Sequence, residues 1–317
     1  MSKGYTLGRA FEYACLTQLE KYLSRSFPDS AVILDQSASY YLVVKSDYES
    51  CSEAEREKLT KGAEAFLPTL SLLEPMLKYP DGALLLSLQT DNQGTKGDVR
   101  DVLISRNDGK WEIGLSLKHN HTALKHSRLS KNIDFADSWV GSPCSDRYWE
   151  DIKPVFDALE KKKGMKWSEL ESKEELVYVP ILQAFTRELL RQSEKSKDFP
   201  KRLVDYLVGR YDFYKIISAD SKKVTYIEPF NLNGSLNQSS PDQAPAFPLQ
   251  KISTPTRVVT MVPKPNSKTT VELYMDNGWQ FNFRIHSAST YVETSLKLDV
   301  QLAGCPVGVI MMLCPWK

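Results

Sequence analysis

Apolar residues recur at helical spacing near the start of the chain, where Phe11, Cys15, Leu19 and Leu23 share one face of the segment Leu7 to Leu23. The β-rich runs Ala31 to Leu34 and Tyr40 to Val44 follow, so the predicted opening is helix, strand, strand. A second helical stretch is predicted over Ser52 to Lys78, with Ser52 as cap, Glu55 at the capping-box offset and Asp81-Gly82 as its end. The apolar run Ala83 to Leu88 then leads to a turn signal, Asp91-Asn92-Gln93-Gly94. Next, Asp98 to Ser105 and Lys110 to Lys118 flank Asn107-Asp108-Gly109, a strong hairpin signal. From Ser145 to about Arg210 the pattern is helical, with Val155, Leu159, Leu182, Phe185, Leu189 and Leu190 forming apolar faces between charged ones.

After Arg210 the pattern alternates with period two, which predicts strands over Phe213 to Ile217, Val224 to Pro229, Val258 to Val262, Val271 to Met275, Gln280 to His286 and Tyr291 to Leu302. Between them, Asn231 to Thr256 is rich in Asn, Gln, Ser and Pro without periodicity, and reads as a flexible connection or a long functional loop. No internal repeat is visible. The order of elements predicts an α/β fold, a mixed sheet with helices on both faces, followed by a β-rich region.

Composition narrows the function. The 317 residues are 41% hydrophobic and 26% charged, which excludes a disordered or fibrous chain. With 41 Lys and Arg against 40 Asp and Glu the net charge is +1, so a polyanion partner would need a local basic patch. Five cysteines without a C-x-x-C pair exclude a disulfide framework and a zinc knuckle, and are expected as packing residues in a reducing compartment. Met1 to Leu16 lacks the apolar core of an export signal. Leu302 to Trp316 is too short and too interrupted, by Pro306 and Pro315, to span a bilayer. The expectation is a cytoplasmic protein without a membrane partner, ending in a buried strand. Neither G-x-x-x-x-G-K-[ST] nor G-x-G-x-x-G occurs, so NTP-driven and dinucleotide chemistry have no visible cradle, and a methyltransferase is disfavoured.

The hairpin carries the candidate chemistry. Trp111, Ile113, Leu115 and Leu117 alternate with Glu112, Gly114, Ser116 and Lys118, giving an apolar face and a polar one. A two-residue turn at Asp108-Gly109 pairs Asn107 with Lys110, Arg106 with Trp111, Ser105 with Glu112 and Asp101 with Ser116. Asp101, Ser116 and Lys118 then converge within about 5–7 Å. An Asp that holds a divalent metal and a Lys that positions or deprotonates water are the minimum for metal-assisted phosphodiester hydrolysis. A three-residue turn slips the register by one and puts Asp98 on that face instead.

The run Asp98-Val99-Arg100-Asp101, Glu112 to Lys118, His119-Asn120-His121 and Lys125 to Ser130 resembles type II restriction endonucleases of the PD-(D/E)xK superfamily. The chain length, Phe11-Glu12 and the stretch from Phe283-Arg284-Ile285-His286 to Val300 resemble, more narrowly, the HaeIII-type enzymes, which cut duplex DNA at GGCC with magnesium. The resemblance implies a restriction-endonuclease-like catalytic core in residues 1–210 with a helical insert, and a β-rich DNA-recognition region in residues 211–317. It implies Asp101 as the metal-binding first acid, Lys118 as the motif lysine and the carbonyl near Leu117 as a further ligand of Mg²⁺. Ser116 departs from the pattern, standing where the family has Asp or Glu. The second acid then comes from elsewhere or the site is degenerate; Glu112 lies about 13 Å back along the strand, too far to share the ion, and better candidates are Glu12 on the first helix and Asp134 or Asp137 after the hairpin. A short palindrome as target implies two-fold symmetric action, as by a homodimer, although some four-base cutters are monomeric. A cognate DNA methyltransferase is implied as a functional partner, with no contact implied.

Lys118 to Lys131 is the basic segment nearest the hairpin, with Lys118, Lys125, Arg128, Lys131 and the histidines His119, His121 and His126, and no Asp or Glu. It suits a phosphate backbone, or else forms a solvated helix face. The triplet His119-Asn120-His121 is not an HNH motif, whose members are spread along a ββα unit. In the β-rich third, Arg257, Lys264, Lys268 and Arg284 are candidates to reach guanine O6 and N7. The competing readings are a non-catalytic DNA-binding protein, in which Ser116 marks a lost site, and a structure-directed repair nuclease of the same fold. Metal-dependent cleavage and discrete fragments, respectively, separate them from a restriction enzyme.

Overall fold

The computed structural model describes residues 3–80, 82–89, 97–106, 109–122, 124–304 and 306–317. The chain folds into two compact units, each assembled from separate stretches of sequence. The first combines Met1–Thr122, Arg210–Ile252 and Gly308–Lys317; the second combines Ala123–Gly209 and Ser253–Val307.

The first unit is built on a seven-stranded mixed sheet. Its strands are β1 (Val32–Leu34), β2 (Leu84–Leu88), β3 (Val102–Arg106), β4 (Trp111–His119), β6 (Phe213–Ala219), β7 (Val224–Phe230) and β12 (Met312–Pro315), adjacent in that order. The pairs β1–β2 and β4–β6 are parallel, the others antiparallel. Helices α1 (Lys3–Ser26), α2 (Ser39–Ser50), α3 (Glu53–Ala65) and α4 (Leu67–Leu73) flank it. Phe11, Cys15, Leu19 and Leu23, the predicted stripe, join Ile113, Leu115 and Leu117 of β4 in one core, so the apolar face of the hairpin is the buried one.

Several elements differ from expectation. Tyr40 to Val44 is helical, not a strand. Tyr41 and Val44 point into the core at a spacing of three, whereas Leu42 and Val43 are exposed, and so short a run does not separate the two periodicities. The capping box of α3 forms as predicted, with the Glu55 N–H donating to Ser52 Oγ at 3.3 Å and the Ser52 N–H to Glu55 Oε2 at 3.0 Å. The helix stops at Ala65 and a new one starts at Leu67, with Pro68 in the first turn, where its missing N–H breaks no helical bond. Within the first unit, residues 231–252 of the predicted connection are ordered by burial and hydrogen bonds. Leu232, Leu236 and Ile252 are buried, and Asn237 donates to the Leu73 carbonyl while accepting from the Leu249 N–H, both at 2.7 Å. At the C-terminus β12 is an edge strand with Leu313 exposed, not a buried one, because its sole strand partner among the described residues is β7.

The second unit holds a five-stranded antiparallel sheet. In order its strands are β5 (Lys125–Ser130), β11 (Ser295–Gly304), β10 (Gln280–His286), β9 (Thr270–Met275) and β8 (Val258–Pro263). Helices α5 (Phe135–Val140), α6 (Asp146–Glu160), α7 (Val179–Lys195) and α8 (Phe199–Leu207) complete the unit. Trp139 of α5 and Phe185 of α7 pack on Phe283 of β10, with ring centroids 6.1 and 5.3 Å apart. A boundary at residue 210 therefore does not describe the compact units. Strands β6 and β7 complete the sheet of the hairpin, while β5 pairs with β11 across about half the chain. Periodicity identifies a strand but not its partner, which is why the division was not legible.

The predicted turn Asp91-Asn92-Gln93-Gly94 lies outside the described residues, as do Asp81, Asn107 and Asp108. The four cysteines within them are buried and form no disulfide. No helix among the described residues is long and apolar enough to cross a membrane.

Candidate active site

Strands β3 and β4 pair in the expected register, with Arg106 opposite Trp111 and Ser105 opposite Glu112. At the turn, Gly109 has φ +83° and its N–H donates to the Arg106 carbonyl at 3.1 Å. The ladder closes with the Asp101 N–H donating to the Leu115 carbonyl at 2.7 Å. Beyond that point the Asp101 side chain takes over from the backbone. Its Oδ2 accepts from the Leu117 N–H at 2.5 Å and lies 3.4 Å from Lys118 Nζ. Residues two apart on a strand direct their backbone groups to the same neighbour, so the Leu117 carbonyl faces the side on which Asp101 stands.

Asp98 does not compete for this place. Both its oxygens bind Arg100, Oδ1 to Nε and Oδ2 to Nη2 at 2.7 Å each, and Gln89 Nε2 adds a bond at 2.9 Å. Burial alone would raise its carboxyl, but Arg100 and Gln89 hold it below the usual range. Asp98, the alternative metal ligand, is thus paired with Arg100, whereas Asp101 is the carboxylate beside Lys118. Arg100 also binds Glu112 at 2.6 Å, which removes that acid too. The guanidinium stem crosses Gly114, whose missing side chain leaves the room for it.

Ser116 is buried, with the equally buried Lys215 of β6 as its register neighbour and Glu228 of β7 beyond. Lys215 Nζ donates to the Thr122 carbonyl at 2.9 Å and stands 3.8 Å from Glu228. Burial raises the Glu228 carboxyl, and Lys215 opposes this. At about 4.8 Å per strand, Glu228 is three strand spacings from Asp101, too far to share an ion with it. Sequence reasoning did not foresee this cationic neighbour of Ser116, since it comes from a strand about 100 residues away.

Glu12 is the better-placed acid. Its Oε2 accepts from Tyr40 at 2.9 Å, and Glu12 and Asp101 both act on the buried Cys15 thiol, which burial already pushes well up. Asp134 is occupied as the cap of α5, accepting from the Asp137 and Cys144 N–H groups at 3.0 and 3.1 Å, and Asp137 is exposed on that helix. Among the described residues no three His, Cys, Asp or Glu side chains form a metal-binding group. A divalent ion here would rest on one or two carboxylates, a backbone carbonyl and oxygens of water or phosphate. That donor set fits Mg²⁺ and not Zn²⁺.

The basic segment is divided in its environment. His119 is buried, with Nε2 3.0 Å from Asp220 Oδ1 and its ring 5.9 Å from Phe11, so it braces the end of β4 instead of facing solvent. His121 is exposed. Residues 125–130 form strand β5, not a helix. Lys125 turns inward, donating to the Tyr206 carbonyl at 3.0 Å and lying 3.5 Å from that ring's centroid, and burial pushes its ammonium down to about 8. Lys131 is paired with Asp157 and Glu160 of α6, Lys264 with Glu272 and Lys268 with Glu175. Arg128, His126, Arg257 and Arg284 remain exposed. His126 and His286 share Asp299, a residue sequence reasoning missed because no local motif marks it.

The chain matches the family described as HaeIII restriction endonuclease over residues 8–306. It is 46% identical over 313 residues to the type II restriction enzyme HaeIII of Haemophilus aegyptius, covering 98% of this chain and 97% of the other. No solved structure matches.

Proposed function

The chain belongs to the HaeIII restriction endonuclease family, and from that premise we propose how its hydrolytic site works and what it cuts. It is a type II site-specific deoxyribonuclease acting on double-stranded DNA; the target we assign is GGCC. The observation that carries the site is Asp101, held by the Leu117 N–H and facing Lys118 at the end of the β3–β4 ladder.

Asp101, the Leu117 carbonyl and Glu12 would hold the divalent ion, Mg²⁺ by their donor chemistry. When bound, the ion supplies charge stabilisation at the scissile phosphate. The Leu117 N–H fixes one carboxylate oxygen of Asp101, which orients the other before any ligand arrives. The Lys118 ammonium, 3.4 Å from the same carboxylate, orients the attacking water and balances negative charge as a phosphorus–oxygen bond breaks. Exposed Arg128 and His121 supply phosphate contacts. A palindromic target is cut symmetrically, by a homodimer or by successive action of a monomer. A cognate methyltransferase acting on the same sequence is its functional partner, with no contact implied.

The test is digestion of a sequenced plasmid with and without Mg²⁺, alongside Asp101→Asn and Lys118→Ala. Discrete Mg²⁺-dependent fragments ending within GGCC, lost in both variants, are expected. Fragments ending elsewhere keep the chemistry and refute the target. Plasmid retardation by folded protein without cleavage means that Ser116 marks a dead site.

A further inference from the structure

One face of the five-stranded sheet packs on helices through Leu129, Leu298 and Phe283, and the other carries cross-strand polar rows. Register sets Arg128, Lys297 and His286 directly opposite one another on β5, β11 and β10. One pleat along, the row is His126, Asp299, Arg284 and Thr270, and the next contains Gln301, Asn282 and Glu272. Like charges opposite one another weaken a sheet, and the first row holds no carboxylate. Acids reach it only at its ends, Glu293 at 3.7 Å from Arg128 and Asp299 at 2.8 Å from His286. The Lys297 side chain, between them, has no hydrogen bond or ion pair among the described residues.

Asp299 has both oxygens occupied, Oδ1 by His126 Nδ1 at 2.5 Å and Oδ2 by His286 Nε2 at 2.8 Å. Arg284, its direct neighbour on β10, is exposed, and its side chain makes no hydrogen bond or ion pair among the described residues. A guanidinium kept free beside a carboxylate is set to meet a planar pair of acceptors. A site made of G·C pairs offers one at every guanine, O6 and N7 in the major groove, and strands can enter that groove.

Building on the DNA-cleaving reading above, we infer that the solvent face of this sheet is where the enzyme reads its target, with Arg284 contacting a guanine and Arg128 and Lys297 the flanking phosphates.

The experiment measures binding of the full chain, without Mg²⁺, to a duplex containing GGCC and to one with two of those pairs exchanged, over a salt series. Wild-type protein must discriminate between the duplexes; failure to do so refutes the GGCC reading, not this surface. Arg284→Ala is expected to reduce discrimination by about 5- to 150-fold. Arg284→Lys, which keeps the charge and loses the fork, is expected to lose as much discrimination with an unchanged salt slope. Lys297→Ala should weaken both duplexes alike and lower the salt slope by about one. Lys201→Ala, on the exposed side of α8 and paired with Asp205, serves as control. Wild-type discrimination in Arg284→Ala and Arg284→Lys overturns the proposal. So does an equal loss on both duplexes in Arg284→Ala, which makes Arg284 a phosphate contact.

Discussion

A methyl group at position 114 tests whether the Arg100 cluster supports the hairpin that carries the proposed site. In Gly114→Ala the new Cβ would lie 2.0 Å from Arg100 Cδ, 2.6 Å from its Cγ and 3.0 Å from its Cβ, distances that cannot coexist. Arg100 must leave its place. Its buried guanidinium then releases Asp98, itself buried, as well as Glu112 and the face of Tyr211, 4.3 Å away. Breaking a buried pair costs about 3–5 kcal/mol, and the partly exposed Glu112 adds about 1 kcal/mol or less. Urea unfolding of four chains measures this. Gly114→Ala and Arg100→Ala should each lose about 3–5 kcal/mol, since both leave the buried Asp98 carboxylate without its guanidinium, held by the Gln89 side chain and the N–H of residue 100. The double variant should lose about the same as either one, because truncating Arg100 removes the contacts at 2.0 and 2.6 Å and leaves, of these three, only the Cβ of residue 100 at 3.0 Å. Losses that add in the double variant would refute the reasoning. Since Asp101 follows Arg100 in the chain, cleavage by Gly114→Ala should also fall at temperatures where the variant is fully folded.

Lys118→Ala should lower kcat about 10²- to 10⁴-fold, with binding to the GGCC duplex retained; loss of binding alone would make Lys118 a phosphate contact. Glu74 is fully buried, and burial pushes its carboxyl up to about 7 even though Tyr214 and the Asn237 N–H donate to it. The folded state thus holds a proton that the unfolded state releases near 4.5, so stability falls by about 3 kcal/mol as pH rises from 4.5 to 7 and is flat in this respect above. Glu74→Gln should remove that slope in unfolding measured across pH, and an unchanged profile would refute the assignment. For Lys125 the shift is downward, to about 8, so its contribution makes stability increase as pH rises from about 8 to 10.5. Lys125→Met should abolish that increase and leave the salt slope of DNA binding unchanged; a smaller slope would place Lys125 on the phosphates.

The β3–β4 hairpin was legible because its signals are local. Alternation in Trp111 to Lys118 identified the buried face, and counting back from a two-residue turn put Asp101 beside Lys118. The capping box at Ser52 and Glu55 was equally readable, since both partners lie within one helical turn. Tyr40 to Val44 was not, because four or five residues fit either period and only packing of Tyr41 and Val44 decides. What tertiary structure alone determined is every relation that depends on strand order. It buried Lys215 beside Ser116, turned Lys125 onto Tyr206, placed His119 against Asp220, and brought His126, Asp299 and Arg284 into one row from positions up to 173 residues apart. A strand's own sequence specifies which side chains face out, but the neighbours they meet follow from pairing between distant segments, which only the folded sheets decide.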